Sequence, residues 1–149
     1  MFLIDGYNLL HAMARGRATS EARDRLIALI ESYCRAGGYR ARVVFDATRG
    51  MRRREERGPI EIRSVAQGRT ADEEILEALE GTADRTEFTV VSNDLAIVKA
   101  AEKKQIQVLA CGDFARQLLR PPDAPEKADS ASSSEVEYWM REFGLEDER

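Results

Sequence analysis

The chain has 149 residues, of which 43% are hydrophobic and 34% are charged, which is typical of one soluble domain and not of a disordered chain. No apolar run approaches the roughly 20 residues of a membrane-spanning helix, and no basic segment precedes the apolar start as in a signal peptide. The net charge of −4 is unevenly spread, since residues 123–149 contain nine acids and three bases. We therefore expect a cytoplasmic protein with one folded domain in residues 1–122, followed by an acidic linker and a short C-terminal helix in 123–149.

Two strands and a long helix are predicted at the start of the chain. Residues 2–5 form a short apolar run that ends in an acid, and residues 41–45 form a second run that an acid follows directly. Between them, apolar residues recur at spacings of three and four from about residue 20 to residue 36. The glycine pair at 37 and 38 ends this predicted helix.

A loop, a strand and a capped helix are predicted next. Residues 48–59 are polar and rich in arginine, which is typical of a loop, whereas residues 60–65 alternate in polarity as an edge strand does. Thr70 and Glu73 have the spacing of a capping box, in which the Thr70 side chain accepts from the Glu73 amide and Glu73 reaches back. We expect the helix that they open to continue to about Glu80.

The remaining elements complete an alternating pattern. Residues 88–92 and 106–110 predict the fourth and fifth strands, with a helix over about 95–104 between them. A short helix is expected from about residue 112 to the proline pair at 121. Because strands separated by helices form a parallel sheet with helices on both faces, the sequence predicts a three-layer α/β domain with a central, parallel five-stranded sheet.

Acidic residues stand where the predicted strands end or the helices begin. Asp5, Asp46 and Asp94 lie at or just after the ends of the first, second and fourth strands. Asp113 follows the fifth strand, and Asp72 lies in the first turn of a helix. Because the carboxyl ends of parallel strands open on one edge of a sheet, these five carboxylates are expected to converge there.

Converging carboxylates favour a metal site, because they repel each other unless a cation lies among them or some are protonated. Oxygen ligands suit Mg²⁺ or Mn²⁺, and metal ions held by carboxylates activate water and stabilise displacement at a phosphodiester. Asp46 and Asp113 are candidate ligands at the periphery. Structural interpretations also stay open, namely a turn at Asp5, a helix-dipole contact at Asp72, and a helix N-cap at Asp94 and at Asp113.

Five arginines crowd the predicted loop after Asp46, and the planar fork of arginine suits phosphate groups. A basic loop beside an acidic cluster would neutralise a nucleic-acid backbone next to the chemistry. The alternative is a solvated loop whose arginines pair with Glu55 and Glu56. The candidate backbone contacts are Arg49, Arg52, Arg53 and, just before the capping box, Arg69.

Four segments of the chain occur in the order seen in NYN domains. They are Leu3-Ile-Asp-Gly-Tyr-Asn8, Val44-Phe-Asp-Ala47, Gly68-Arg-Thr-Ala-Asp72 and Val91-Ser-Asn-Asp94. Over roughly residues 1–120 the chain therefore resembles the YacP-like endoribonucleases, which are NYN domains within the PIN-like nuclease superfamily.

This resemblance implies a sheet in the order 3-2-1-4-5 and a metal-dependent endoribonuclease. By the family pattern, the catalytic and metal-binding residues are Asp5, Asp72 and Asp94, with Mg²⁺ or Mn²⁺ as the cofactor. The same pattern makes Asn8 and Asp46 supporting residues around the metal.

The resemblance also implies a substrate. Some relatives act on messenger RNA associated with the ribosome, so RNA is the expected substrate and the ribosome an expected partner. The candidate substrate contacts near the acids are Asn8, Ser92 and Asn93.

Two other classes of function were compared with this interpretation. A haloacid-dehalogenase-like phosphatase needs a second acid two residues after Asp5, where this chain has Tyr7. A receiver domain needs a lysine after the fifth strand, where Asp113 and Phe114 stand. An aspartate-based phosphotransfer domain is therefore disfavoured, whereas a non-catalytic RNA- or ribosome-binding module stays open, because the spacing shows only that the acids can converge.

Overall fold

Short apolar runs and amphipathic segments alternate along the chain and form six strands and five helices within residues 1–14, 19–47 and 50–120, which this computed structural model describes. The strands are β1 (Phe2–Asp5), β2 (Ala41–Phe45), β3 (Arg54–Arg57), β4 (Ile60–Ser64), β5 (Thr89–Val91) and β6 (Gln107–Leu109). The helices are α1 (Gly6–Ala14), α2 (Ser20–Gly37), α3 (Ala71–Gly81), α4 (Leu95–Lys103) and α5 (Cys111–Leu119). The predicted linker and C-terminal helix in 123–149 lie outside the described residues.

The strands form one sheet in the order β3-β4-β2-β1-β5-β6. The five predicted strands are all parallel and lie in the predicted order, here β4-β2-β1-β5-β6. The chain winds to one side of β1 through β2 and to the other side through β5. This reversal places a crevice at the carboxyl ends of the central strands, where parallel α/β sheets bind their ligands.

The helices cover both faces of the sheet, which confirms the three-layer architecture. Leu3 and Ile4 are neighbours in β1 and are both fully buried, but their side chains point to opposite faces. Ile4 packs into a core with α1, α2 and α5, and Leu3 packs into a second core with α3 and α4. No helix within the described parts of the chain is long and apolar enough to cross a membrane.

The sixth strand was not expected, because β3 lies inside the segment that the sequence predicts to be a loop. All four residues of β3 are charged, so the segment has no alternating pattern, and it pairs antiparallel with β4 at the edge of the sheet. Glu61 of β4 forms ion pairs with Arg54 of β3 at 2.6 Å and with Arg42 of β2 at 2.9 Å. Backbone pairing and cross-strand charges hold this strand in place, rather than burial of apolar side chains.

Helix α1 was also missing from the prediction, which has no helix before residue 20. It begins directly after β1, and Leu9, Leu10 and Met13 face the core at helical spacing. Gly6 makes this abrupt start feasible, because a Cβ atom at this position would lie 2.5 Å from the ring of Phe45. The close contact between the start of α1 and the end of β2 brings Asp5 and Asp46 to the same edge of the sheet.

Candidate active site

Three of the predicted acidic residues meet at the carboxyl edge of the sheet. Asp5 ends β1 and is only 5% exposed, Asp72 lies in the first turn of α3, and Asp94 directly precedes α4. The charge of Asp72 acts on Asp5 and that of Asp94 acts on Asp72, which places the three carboxyl groups close together. Residues from three distant segments of the chain thus form one group, which we call the acidic cluster.

The surroundings of the acidic cluster oppose full ionisation. The pKa of Asp5 is raised to about 7, chiefly by burial and further by the charges of Asp72 and Asp46, against the opposing hydrogen bond from the Asn8 amide. Burial also raises the pKa of Asp72, and the neighbouring charge of Asp94 adds to this effect. The cluster therefore has an excess of negative charge for its environment, which a cation would relieve.

The donor chemistry of the acidic cluster fits a hard divalent cation, since Mg²⁺ and Mn²⁺ prefer carboxylate oxygens. In the parts of the chain that the structure describes, no three His, Cys, Asp or Glu side chains are already arranged as a metal site. The carboxyl groups of Asp5, Asp72 and Asp94 instead influence one another through their charges. Their assignment as metal ligands stays a prediction.

Asp46 contacts the backbone at the start of α3. Its Oδ1 accepts a hydrogen bond from the Ala71 amide at 2.8 Å, one residue before Asp72. The predicted capping box is present as well, since Thr70 Oγ1 accepts from the Glu73 amide at 3.1 Å and Glu73 Oε1 accepts from the Thr70 amide at 2.9 Å. These contacts fix the first turn of α3, and with it the position of Asp72.

Asn8 and Asn93 take part in hydrogen bonds that connect three segments of the site. Asn8 Oδ1 accepts from the Asn93 amide at 2.7 Å and from Cys111 Sγ at 3.1 Å. Asn93 Oδ1 accepts from the Cys111 amide at 2.8 Å. This Asn8–Asn93–Cys111 bridge joins α1, the loop that carries Asp94, and the start of α5. The third predicted contact, Ser92, accepts a hydrogen bond from the Asp94 amide at 3.0 Å.

The Asn8→Ala variant tests this bridge. It removes one oxygen that two donors share, and unpaired donors in a half-buried site cost about 1–3 kcal/mol. We expect a loss of stability of this size and, because the Asp94 loop loses its connection to α1, a roughly 10- to 100-fold reduction of the RNA cleavage that the sequence resemblance implies. Urea unfolding and initial cleavage rates would measure the two effects. Cys111→Ser is the matched control, since it keeps a donor to Asn8, and an Asn8→Ala protein with unchanged stability and rate would contradict the role of the bridge.

The remaining site predictions have different surroundings. Asp113 is exposed in the first turn of α5, where it pairs with Arg116, and Ala110 rather than Asp113 is the N-cap. Arg69 pairs with Glu77 at 2.9 Å. Arg52 and Arg53 are exposed between β2 and β3, and Arg49 lies outside the described residues.

Two arginines of the predicted loop, Arg54 and Arg57, pair with acids of other elements. Arg54 contacts Glu56 at 3.3 Å as well as Glu61, and Arg57 contacts Glu31 of α2 at 3.3 Å. Arg23 was not predicted as a site residue, but it lines the same cleft as Arg52 in the folded chain. Its only sequence signal is a position one turn inside α2, which says nothing about its neighbours.

Comparison with known proteins identifies a related family. The model of the YacP-like NYN domain matches residues 2–148, which is more than the roughly 120 residues over which the motifs occur. No curated protein sequence matches the chain significantly.

Solved structures of a related protein share the fold. The chain is 27% identical to Rae1 (YacP) from Bacillus subtilis, with a TM-score of 0.66 over 79% of this chain and 72% of that one. For the W164L mutant of the same protein, the identity is 25% and the TM-score 0.63, over 78% and 73% of the two chains. The NYN family has a PIN-like nuclease fold and implies a nuclease in general. Fold, motif order and family match together show that the chain belongs to the YacP-like NYN domain family.

Proposed function

We propose that the protein is an endoribonuclease that depends on Mg²⁺ or Mn²⁺ and hydrolyses phosphodiester bonds of RNA. The observation that carries this proposal is the acidic cluster, in which Asp5, Asp72 and Asp94 meet at the crevice of a nuclease-type sheet. The excess negative charge of this cluster supports a cation as its partner. The choice of RNA over DNA rests on the family.

Asp5, Asp72 and Asp94 would hold the metal, with Asp46 and Asp113 at the periphery. When bound, the ion supplies a Lewis acid for the phosphodiester and lowers the pKa of water. The chain itself positions the acids: the Asn8 amide donates to Asp5 Oδ1 at 3.4 Å, and the Ala71 amide holds Asp46.

The N-terminal ends of α3 and α4 lie at the acidic cluster, and their partial positive charge favours a phosphate nearby. The exposed side chains of Arg52 and Arg53, together with Arg49, are the proposed contacts to the RNA backbone. The side-chain oxygens of Asn8 and Asn93 already accept hydrogen bonds within the Asn8–Asn93–Cys111 bridge, so only the side-chain NH₂ groups of the two residues would donate to substrate.

The finer aspects of the proposal are a site of action in the cytoplasm and a substrate of messenger RNA on the ribosome. The family resemblance supports both. An enzyme that needs the ribosome would leave free RNA intact and cleave messenger RNA only in translating complexes.

The experiment is cleavage of a single-stranded RNA by the purified protein with Mn²⁺ or with EDTA. We expect fragments with Mn²⁺ and none with EDTA, and the same assay on translating ribosomes tests the ribosome. If neither substrate is cleaved while the protein still binds RNA and Mn²⁺ does not change that binding, the protein is instead a non-catalytic RNA-binding module.

A further inference from the structure

A second cleft lies between α2 and the β3–β4 hairpin and has a volume of about 460 Å³. This volume falls within the roughly 300–1,000 Å³ that is typical of small-ligand clefts. Three arginines line it, namely Arg23 of α2, Arg52 and Arg57, and none of the proposed metal ligands does. We call it the α2–β3 cleft.

Arg23 has an unmet hydrogen-bonding requirement in this cleft. Its side chain is only 14% exposed, and its buried Nε has no hydrogen-bond partner among the described residues. The carboxylate of Asp24 lies 3.7 Å away, which is too far for a hydrogen bond. Because a buried guanidinium nitrogen without an acceptor costs free energy, the geometry favours an acceptor that comes from outside the protein.

The composition of the cleft fits a nucleotide. The arginines provide planar forks that suit phosphate oxygens, and the ion pair of Arg57 with Glu31 at 3.3 Å holds one wall in place. Buried Ile27 and Ile62, with half-buried Met51, add apolar surface that suits a base or a sugar. Two carboxylates, those of Asp24 and Glu55, also line the cleft and leave it only weakly positive.

One end of the cleft lies near the carboxyl edge of the sheet, where the acidic cluster is found. Helix α2 leads through residues 38–40 into the start of β2, so its first turns lie near the end where β2 finishes. The opposite wall, Gly50 to Arg52, follows shortly after Asp46. A strand of RNA whose scissile bond lies at Asp5 could therefore place a flanking nucleotide here.

We propose that the α2–β3 cleft binds a flanking nucleotide of single-stranded RNA, with its phosphate on Arg23 and Arg52 and its base or sugar against the apolar floor. This inference rests on the proposed function, because it assigns the cleft to the same substrate.

The test measures the affinity of a fluorescent single-stranded RNA of about a dozen nucleotides for the Asp94→Asn protein, in which cleavage is blocked. We expect Arg23→Gln in this background to weaken binding about tenfold and to lower the slope of log affinity against log salt by roughly 0.7, which is the loss of one phosphate contact. Arg40→Gln is the matched control. It removes the same charge from an exposed residue at the opposite edge of the sheet and should leave both quantities unchanged.

A second variant gives a change in the opposite direction, which misfolding does not produce. Glu55 is exposed and lines the cleft, so Glu55→Gln removes a negative charge that faces the phosphate. We expect it to tighten RNA binding about two- to fivefold.

The outcomes separate this inference from the proposed function. If Arg23→Gln binds RNA as tightly as Arg40→Gln does, or if Glu55→Gln weakens binding, the cleft is not an RNA subsite. Cleavage of RNA by the wild type would still support the nuclease proposal in that case. If the Arg23 and Glu55 effects appear but the wild type cleaves neither free nor ribosome-bound RNA, the cleft stands and the nuclease proposal fails. Absence of any binding of free RNA by the Asp94→Asn protein overturns the subsite, whereas cleavage of ribosome-bound RNA by the wild type would still support the nuclease proposal.

Discussion

Replacing Asp5 with asparagine is expected to reduce RNA cleavage about 100-fold or more while making the metal-free protein more stable at neutral pH. Asparagine keeps a side-chain oxygen for the Asn8 amide, which donates to Asp5 Oδ1 at 3.4 Å. It removes the negative charge on which the proposed metal site depends. It also removes a buried charge that repels Asp72 and Asp46. Loss of activity and gain of stability therefore have one common cause.

The gain in stability should depend on pH in a predictable direction. The pKa of Asp5 is raised from 3.8 to about 7, so between about pH 4 and pH 7 the folded protein keeps a proton that the unfolded chain has lost. The contribution of Asp5 to stability is fully present below pH 4 and is lost as the pH rises through 7. The advantage of Asp5→Asn should be small at pH 4 and reach about 2–4 kcal/mol at pH 8, since one pKa unit corresponds to about 1.4 kcal/mol.

Urea unfolding in EDTA at pH 4, 5.5 and 8 measures this dependence, and cleavage with Mn²⁺ measures the loss of activity. Glu102→Gln is the control, because it neutralises an exposed acid near the far end of α4. Full cleavage by Asp5→Asn would exclude Asp5 as a ligand. Equal free energies of unfolding for wild type and variant at pH 8 would show that ionisation of Asp5 does not destabilise the folded protein.

The central sheet could be predicted from the sequence because its strands carry their own signal. Residues 2–5 and 41–45 are short apolar runs between polar segments, and burial on both faces of a parallel sheet requires such runs. Strand β3 lacks this signal, since all four of its residues are charged. It is held by backbone pairing with β4 and by the ion pair between Arg54 and Glu61 of β4. Helix α1 was not predicted, although Leu9, Leu10 and Met13 have helical spacing.

The acidic cluster could be predicted only as a set of positions. The sequence shows that Asp5, Asp72 and Asp94 begin or end elements, and the topology then brings them together. It cannot show that Asn8 accepts hydrogen bonds from Asn93 and Cys111, because these contacts span 85 and 103 residues. The role of Arg23 depends in the same way on the hairpin that packs opposite α2.

Asp94 is the N-cap of α4 and a proposed metal ligand, and two substitutions should separate these two roles. Its Oδ1 accepts from the Ile97 amide at 3.1 Å, which makes it the N-cap of α4. Asparagine can cap a helix but cannot supply the charge for a metal, whereas alanine can do neither. We expect Asp94→Asn and Asp94→Ala to reduce RNA cleavage equally, about 100-fold or more, and only Asp94→Ala to lose about 1 kcal/mol of stability.

A helix N-cap outside the acidic cluster provides the control for these two variants. Thr19 Oγ1 accepts from the Ala22 amide at 3.0 Å as the N-cap of α2, so Thr19→Ala should lose a similar amount of stability and still cleave RNA. Thermal unfolding measures the stability of Asp94→Asn, Asp94→Ala and Thr19→Ala, and initial rates measure their cleavage of RNA. If Asp94→Asn cleaved RNA at the wild-type rate, Asp94 would be a structural cap alone, and the metal would have to be held without it. Equal losses of cleavage in both Asp94 variants, with a loss of stability only in Asp94→Ala, would show that the carboxylate charge serves the chemistry and the oxygen serves the helix.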